Sequence, residues 1–233
     1  MAGTLSDACL KLAGEQILLM PEKAVYWPAE RTLFVADVHF GKSASMRAAS
    51  LPIPGGTTTA TLARLTCAVE RSAARRLVIL GDLWHDGAGR QAATLAASEA
   101  WRAQHADLEV WLIEGNHDRR AGPVPEGFCC TAFEEPTRMG PFALCHDPAL
   151  PTDGFRLAGH LHPAALLEGK GRQSEKLSCF WVTPHGMVLP AFGAFTGCVA
   201  VRPTVGDRLF LVADGTVIEA SYDCAPEGKP SVR

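Results

Sequence analysis

Residues 31–42 read RTLFVADVHFGK, an apolar run that breaks into a polar loop, and the same pattern returns at 76–82 (RLVILGD) and 107–118 (DLEVWLIEGNHD). Short unbroken apolar runs that end in Gly, Asp and His read as buried strands with functional loops at their carboxyl ends. Between the first two runs, residues 57–74 carry Leu62, Leu65, Val69 and Ala73 at helical spacing, behind the punctuation of Pro52, Pro54, Gly55 and Gly56. Residues 89–105 form an Ala-rich helical stretch between the second and third runs. The alternation of strand, loop and helix predicts α/β layering with right-handed crossovers.

Beyond Arg120 the texture changes: Pro and Gly become frequent and helical periodicity disappears. Strand-like runs remain at 142–145, leading into His146, at 155–158, leading into Gly159-His160-Leu161-His162, and at 181–189 around His185. Residues 208–213 and 216–220 flank Asp214-Gly215, a strong two-residue hairpin signal. The expected architecture is a mixed-sheet sandwich with helices outside, a single domain over 1–233 whose last residues, 224–233, form a frayed tail.

Composition narrows the function. The chain has 233 residues with a net charge of −3, and 47% of them are hydrophobic. A chain of this length buries roughly 70% of its unfolded surface, so a metal here would serve chemistry rather than hold the core. Slight acidity without blocks of like charge excludes a disordered tail protein or a histone-like DNA coat, and leaves nucleic acid as a partner only through local basic patches. The N-terminal stretch lacks the basic start, apolar run and small-residue cleavage site of a signal peptide, and no stretch of about 18 apolar residues occurs, so a soluble, cytoplasmic protein without membrane contact is expected. The eight cysteines form no CxxC and sit mostly in apolar stretches, which reads as buried, reduced thiols.

Five polar clusters close five apolar runs: Asp37-x-His39, Gly81-Asp82, Gly115-Asn116-His117-Asp118, His146, and Gly159-His160-x-His162. Carboxylate, imidazole and amide oxygen are ligands for divalent Mn, Fe, Zn or Mg, and the absence of cysteine from the clusters argues against a structural zinc knot. Ligands at strand ends are held by a rigid scaffold while the loops leave coordination positions open, a geometry suited to catalysis. Gly41-Lys42-Ser43 lacks the upstream glycine of a phosphate-cradling P-loop.

These clusters, in this order, resemble the signature of the calcineurin-like metallophosphoesterase superfamily: D-x-H, GD, GNH[DE], H and G-H-x-H. The resemblance covers about residues 33–163 and implies a four-layer α/β/β/α sandwich, two mixed sheets flanked by helices. It further implies that Asp37, His39, Asp82 and His162 hold one metal ion and Asp82, Asn116, His146 and His160 a second, with Asp82 bridging. Two cations about 3.5–4 Å apart activate water and neutralise the phosphoryl oxygens in an in-line displacement. His117 would then act on the substrate as a catalytic group and Asp118 would orient its ring or serve as a helix N-terminal charge.

The flanking strings ADVHFGKSASMRAASLPIPGGTT, GDLWHD and LPAFGAFTGC are similar to the bacterial DNA-ligase-associated metallophosphoesterases, a subfamily linked to DNA repair gene clusters. That resemblance implies a manganese-dependent endonuclease acting on single-stranded DNA, associated with DNA ligase and repair proteins. Cys198 departs from it, standing where glycine is expected. Lys42, Arg47, Arg119 and Arg120 adjoin ligand loops and are candidates to contact a phosphate backbone, as is His85 to contact substrate. Phe40, Trp84, Phe192 and Phe195 are candidates for stacking on bases, although each also suits a core position. His105 and His185 receive no role, and Gly55, Gly56 and Gly193 read as turns or close approaches. Two alternatives remain: a small-molecule phosphodiesterase or phosphomonoesterase on the same metals, and a non-catalytic scaffold that keeps the fold.

Overall fold

The computed structural model describes residues 5–168 and 173–222, so the expected tail at 224–233 lies outside the described residues. Its elements, in chain order, begin with β1 (Ala8–Leu12), β2 (Glu15–Met20), β3 (Ala24–Trp27) and β4 (Thr32–Val35). There follow α1 (Lys42–Ala48), α2 (Thr57–Ser72), β5 (Arg76–Leu80), α3 (Ala92–Gln104), β6 (Glu109–Ile113) and α4 (Asn116–Ala121). The remainder contributes β7 (Thr131–Phe133), β8 (Thr137–Met139), β9 (Phe142–Leu144), β10 (Phe155–Ala158), β11 (Pro163–Glu168) and β12 (Ser174–Thr183). The last strands are β13 (Gly186–Val188), β14 (Val199–Ala200), β15 (Arg208–Ala213) and β16 (Thr216–Ala220).

The first seven strands form one mixed sheet in sequence order. Strands β1 to β4 pair antiparallel, and β4 to β7 pair parallel. The other nine strands form the second sheet, in which β9, β10 and β13 run parallel to one another. Alternate side chains explain how the layers meet, because successive residues of a strand point to opposite faces. Phe34, Val78, Leu80 and Ile113 of the first sheet share an inter-sheet core with Phe142, Leu144, Leu157, Phe180 and Leu189. Leu33, Val35, Leu77, Ile79 and Leu112 point the other way, onto the helices.

Helix α2 buries Leu62, Leu65 and Val69 on one stripe, each side chain worth roughly 1.5–3 kcal/mol when removed from water. All four α-helices precede Gly122, and they cover the first sheet only. The two-mixed-sheet α/β sandwich is as expected; among the described residues its α-helices lie on the first sheet, and the second sheet's outer face carries no α-helix but a small cluster of Ala165, Cys179, Leu209, Leu211 and Ala220. The strand periodicity beyond Arg120 leaves no 3.6-residue stripe from which such a helix would form.

The seven described cysteines are free; Cys145 and Cys179 are buried, whereas Cys9, Cys67 and Cys129 are exposed, which corrects the expectation of general burial. No helix among the described residues is long and apolar enough to cross a membrane.

Phe142 is fully buried between the sheets, its ring edge-on to Trp27 at a centroid distance of 5.0 Å. Phe142→Ala is expected to cost about 3–5 kcal/mol in denaturant unfolding, because both sheets are too well packed to close the void. A loss below about 1 kcal/mol would mean the sheets are not rigidly stacked there.

Candidate metal and catalytic centre

The parallel strands of both sheets deliver their carboxyl ends to one edge. From the first sheet, β4 leads to Asp37 and His39, β5 to Asp82, and β6 to Asn116 and His117; from the second, β9 leads to His146 and β10 to His160 and His162. Past the strand ends the backbone pairing continues, with Asp37 N–H donating to Gly81 C=O (3.2 Å), His39 N–H to Asp82 C=O (2.8 Å) and Phe40 N–H to Leu83 C=O (2.8 Å). Strand β13 reaches the same edge, since Phe192 N–H donates to Ala36 C=O and Gly193 N–H to Asp37 C=O. The approach at Gly193 leaves no room for a side chain: a Cβ there would lie 2.5 Å from the Val38 carbonyl oxygen. At Gly81, in the left-handed region at φ 77°, a Cβ would fall on the His146 ring.

The seven side chains expected to bind metal converge. His146 Nε2 lies 3.0 Å from Asn116 Oδ1, 3.0 Å from His160 Nδ1 and 3.4 Å from Asp82 Oδ1. His162 Nε2 is 3.3 Å from Asp37 Oδ1, and His39 Nε2 is 3.8 Å from Asp82 Oδ2. Donor atoms of Asp37, His39 and His162, and again of Asp37, Asp82 and His146, lie within 4.8 Å of one another.

Hydrogen bonds fix which ring nitrogens face inward. His146 Nδ1 meets Leu80 C=O (3.1 Å) and His162 Nδ1 meets Gly197 C=O (3.0 Å). A carbonyl only accepts, so each Nδ1 carries a proton and each Nε2 is the atom turned toward the cluster, where a bound cation would take its lone pair. A cation bound by both His146 Nε2 and the Asn116 amide oxygen would fit their 3.0 Å separation.

Charge points the same way. Asp37 and Asp82 are 0% and 2% exposed, and among the described residues only histidines lie within ion-pairing distance of them. Buried carboxylates need paired positive charge. Burial pushes the Asp82 carboxyl above the usual range, only partly offset by His146 and the His117 N–H. Burial also carries His39 far below its ordinary value, with Lys42, His162, His117 and His85 adding repulsion. For His162, burial works against the charged form but the Asp37 hydrogen bond and charge outweigh it, so the ring is raised above its ordinary value. The donor set therefore fits divalent cations in chemistry and in charge.

Five of these seven residues, Asp37, His39, Asp82, His160 and His162, hold a left-handed backbone with φ between 48° and 70°. Each such non-glycine residue costs roughly 1–2 kcal/mol, and strain of this kind gathers where a site demands it.

Around the cluster, His117 N–H donates to Asp82 Oδ1 (2.9 Å), and its Nδ1 is 2.5 Å from the His85 carbonyl oxygen. The His85 ring stacks on His117 at 4.9 Å and meets His39 edge-on at 5.3 Å. Of the two roles expected for Asp118, its hydrogen bonds serve the one at the N-terminus of α4, and none of them is to the His117 ring. Its buried carboxylate accepts N–H groups from Asp82 (2.7 Å), Trp84 (3.1 Å) and Gly115 (3.1 Å), tying the β5 loop to the start of α4. Burial pushes this carboxyl up to about 6 despite those bonds.

Of the candidate substrate contacts, Lys42 is half-buried and close enough to feel both Asp37 and Asp82, while burial lowers its ammonium below the ordinary value. Arg119 is exposed, donating to Glu114 C=O (3.1 Å) and approaching Glu135 Oε1 (3.5 Å). Arg120 is exposed, and Arg47 turns instead to Pro54 C=O (3.3 Å). Phe40, Trp84 and Phe192 are core residues at 0–1% exposure, which removes them as stacking surfaces; Phe195, at 51%, is open. His105 bonds Thr66 (3.2 Å) at the end of α3, and His185 is exposed. Glu135 escaped the sequence reading: its Oε2 accepts the N–H groups of His146 (2.7 Å) and Asp147 (2.9 Å), fixing the β9 loop from a position that no spacing marks.

No protein-family model and no curated protein sequence matches the chain. Among solved structures it is similar to the nuclease MPE of Pseudomonas putida, with 40% identity over 92% of this chain and 100% of that chain, at a TM-score of 0.80. Yfce, a phosphoesterase from E. coli, shares 19% identity over 80% of this chain and 96% of that chain at a TM-score of 0.37, a distance at which it carries no argument.

Asp118→Ala strips the partner from three backbone N–H groups at the heart of the site. Each costs about 1–3 kcal/mol if left unsatisfied, so a loss of at least about 3 kcal/mol in unfolding free energy is expected. A melt within about 1 kcal/mol of the parent would show that water replaces the carboxylate.

Proposed function

The chain belongs to the metallophosphoesterase family, and we propose that it is a binuclear phosphodiesterase that cuts single-stranded DNA as a manganese-dependent endonuclease. The observation that carries this is the convergence of five further metal-type donors on the buried pair Asp37 and Asp82, within a fold like that of a nuclease 40% identical. In this reading Asp37, His39, Asp82 and His162 hold one ion, and Asp82, Asn116, His146 and His160 the other. Two such ions, when bound, activate a water for attack on phosphorus and neutralise charge on the phosphoryl oxygens.

The chain's own groups do the rest. With its Nδ1–H engaged by the His85 carbonyl, His117 presents Nε2, 3.9 Å from Asp82 Oδ2, to the reacting centre, where the ring, once it has taken a second proton at Nε2 from solvent, would stabilise the charge at phosphorus or pass that proton to the leaving oxygen. Asp118 acts beneath it by fixing the Asp82 loop. Lys42 and Arg119 supply positive charge for phosphate oxygens at the mouth of the site, the local attraction that an acidic chain needs for an anionic polymer. A cytoplasmic role in DNA repair beside a DNA ligase belongs to the same reading and rests on the resemblance of the strings around Asp37 and Phe192.

His117→Ala is expected to lower DNA cleavage by about 10²–10⁴-fold while both ions remain bound, as measured by elemental analysis. Loss of metal in that variant would contradict its assignment to the substrate. Asp82→Ala should empty both positions together; a variant that keeps two tight ions would show that Asp82 is not the bridge. The reading as a whole is tested by assaying the metal-stripped protein, with Mn2+ restored, on circular and linear DNA, single- and double-stranded, beside a small phosphodiester. Cleavage of circular single strands supports it, and activity confined to the small ester or nucleotides overturns it.

A further inference from the structure

We propose that Phe195 is a stacking platform for an unpaired nucleobase next to the scissile phosphate, so that the site selects single strands by contact with base faces; this rests on the nuclease reading above. The residue lies at the tip of a loop, 192–199, that is pinned to the metal-type cluster on both sides. On one side Phe192 N–H donates to Ala36 C=O (2.8 Å) and Gly193 N–H to Asp37 C=O (3.0 Å). On the other, Gly197 C=O accepts from His162 Nδ1 (3.0 Å) and Val199 N–H donates to His162 C=O (3.0 Å). From beneath, Arg64 donates to Phe192 C=O, and Thr61 Oγ1 accepts from Ala194 N–H (3.0 Å). Phe195 is two residues from both Gly193 and Gly197, so its Cα lies within about 7 Å of each anchor.

A loop held at so many points would ordinarily turn an aromatic ring inward. Here the ring is 51% exposed, and its backbone sits in the left-handed region at φ 66°, an outlier for a bulky side chain. An exposed ring fixed beside a phosphoester site matches what single-strand binders use: every base offers a π-face, whereas bases in a duplex keep their faces against one another.

The test is steady-state kinetics of the parent, Phe195→Ala and Phe195→Trp on a single-stranded oligonucleotide and on a small aryl phosphodiester without bases. In Phe195→Ala the ratio of kcat/KM on DNA to that on the small ester is expected to fall about tenfold, the equivalent of about 1.4 kcal/mol, mainly through KM on DNA, and Phe195→Trp is expected to restore it. A ratio within about twofold of the parent would overturn the proposal. So would an equal fall on both substrates, which would assign the ring to supporting the Asp37 and His162 loops. A parent active on the small ester but inert on DNA would instead sink the nuclease reading, and the platform with it.

Discussion

Two carboxylates, Asp37 and Asp82, are held at the edge of the sandwich with almost no access to water, ringed by imidazoles and each accepting a single residue's backbone N–H, from His160 and His117 respectively. An uncompensated anion in such a place is costly, and two are worse. The rest of the structure is arranged around that excess of negative charge. Parallel strands from both sheets end at one edge, five loops carry the nitrogen and oxygen donors together with the two carboxylates, and the carbonyl-bound rings of His146 and His162 turn Nε2 inward. Divalent cations held by these donors would offset that negative charge.

The geometry is maintained by groups that never face the substrate. Carbonyls of Leu80, Gly197 and His85 set the ring orientations of His146, His162 and His117. Carboxylates of Asp118 and Glu135 gather the N–H groups of the loops that carry Asp82 and His146. These bonds offset the left-handed strain at the ligand positions, so the site is prepared before anything binds, a condition under which electrostatic catalysis is most effective.

Much of this was legible in the sequence, for identifiable reasons. Strands at 76–80 and 155–158 and the hairpin around Asp214-Gly215 carry unambiguous patterns, and they fold where expected, with both turn residues at positive φ. The ligand-type residues announce themselves because residue type and order survive whatever the chain does between them. The antiparallel hairpin of β1 and β2 was not legible, although Leu10, Leu12, Ile17 and Leu19 alternate into the core, because each run is only five or six residues long. Helix α1 is the seven residues KSASMRA, in which Met46 is the one large apolar side chain and forms no stripe, and so gave no periodicity. Exposure was not legible: Phe40, Trp84, Phe192 and Phe195 look alike in sequence, yet only the last reaches solvent. Nor were the supporting carbonyls, which have no residue type, or Glu135, which is brought to His146 by the fold.

The central claim is the paired cation centre. Crystals grown with manganese and measured at its absorption edge are expected to give two anomalous peaks about 3.5–4 Å apart with the Asp82 carboxylate between them. A single peak, or peaks away from Asp37 and Asp82, would contradict it.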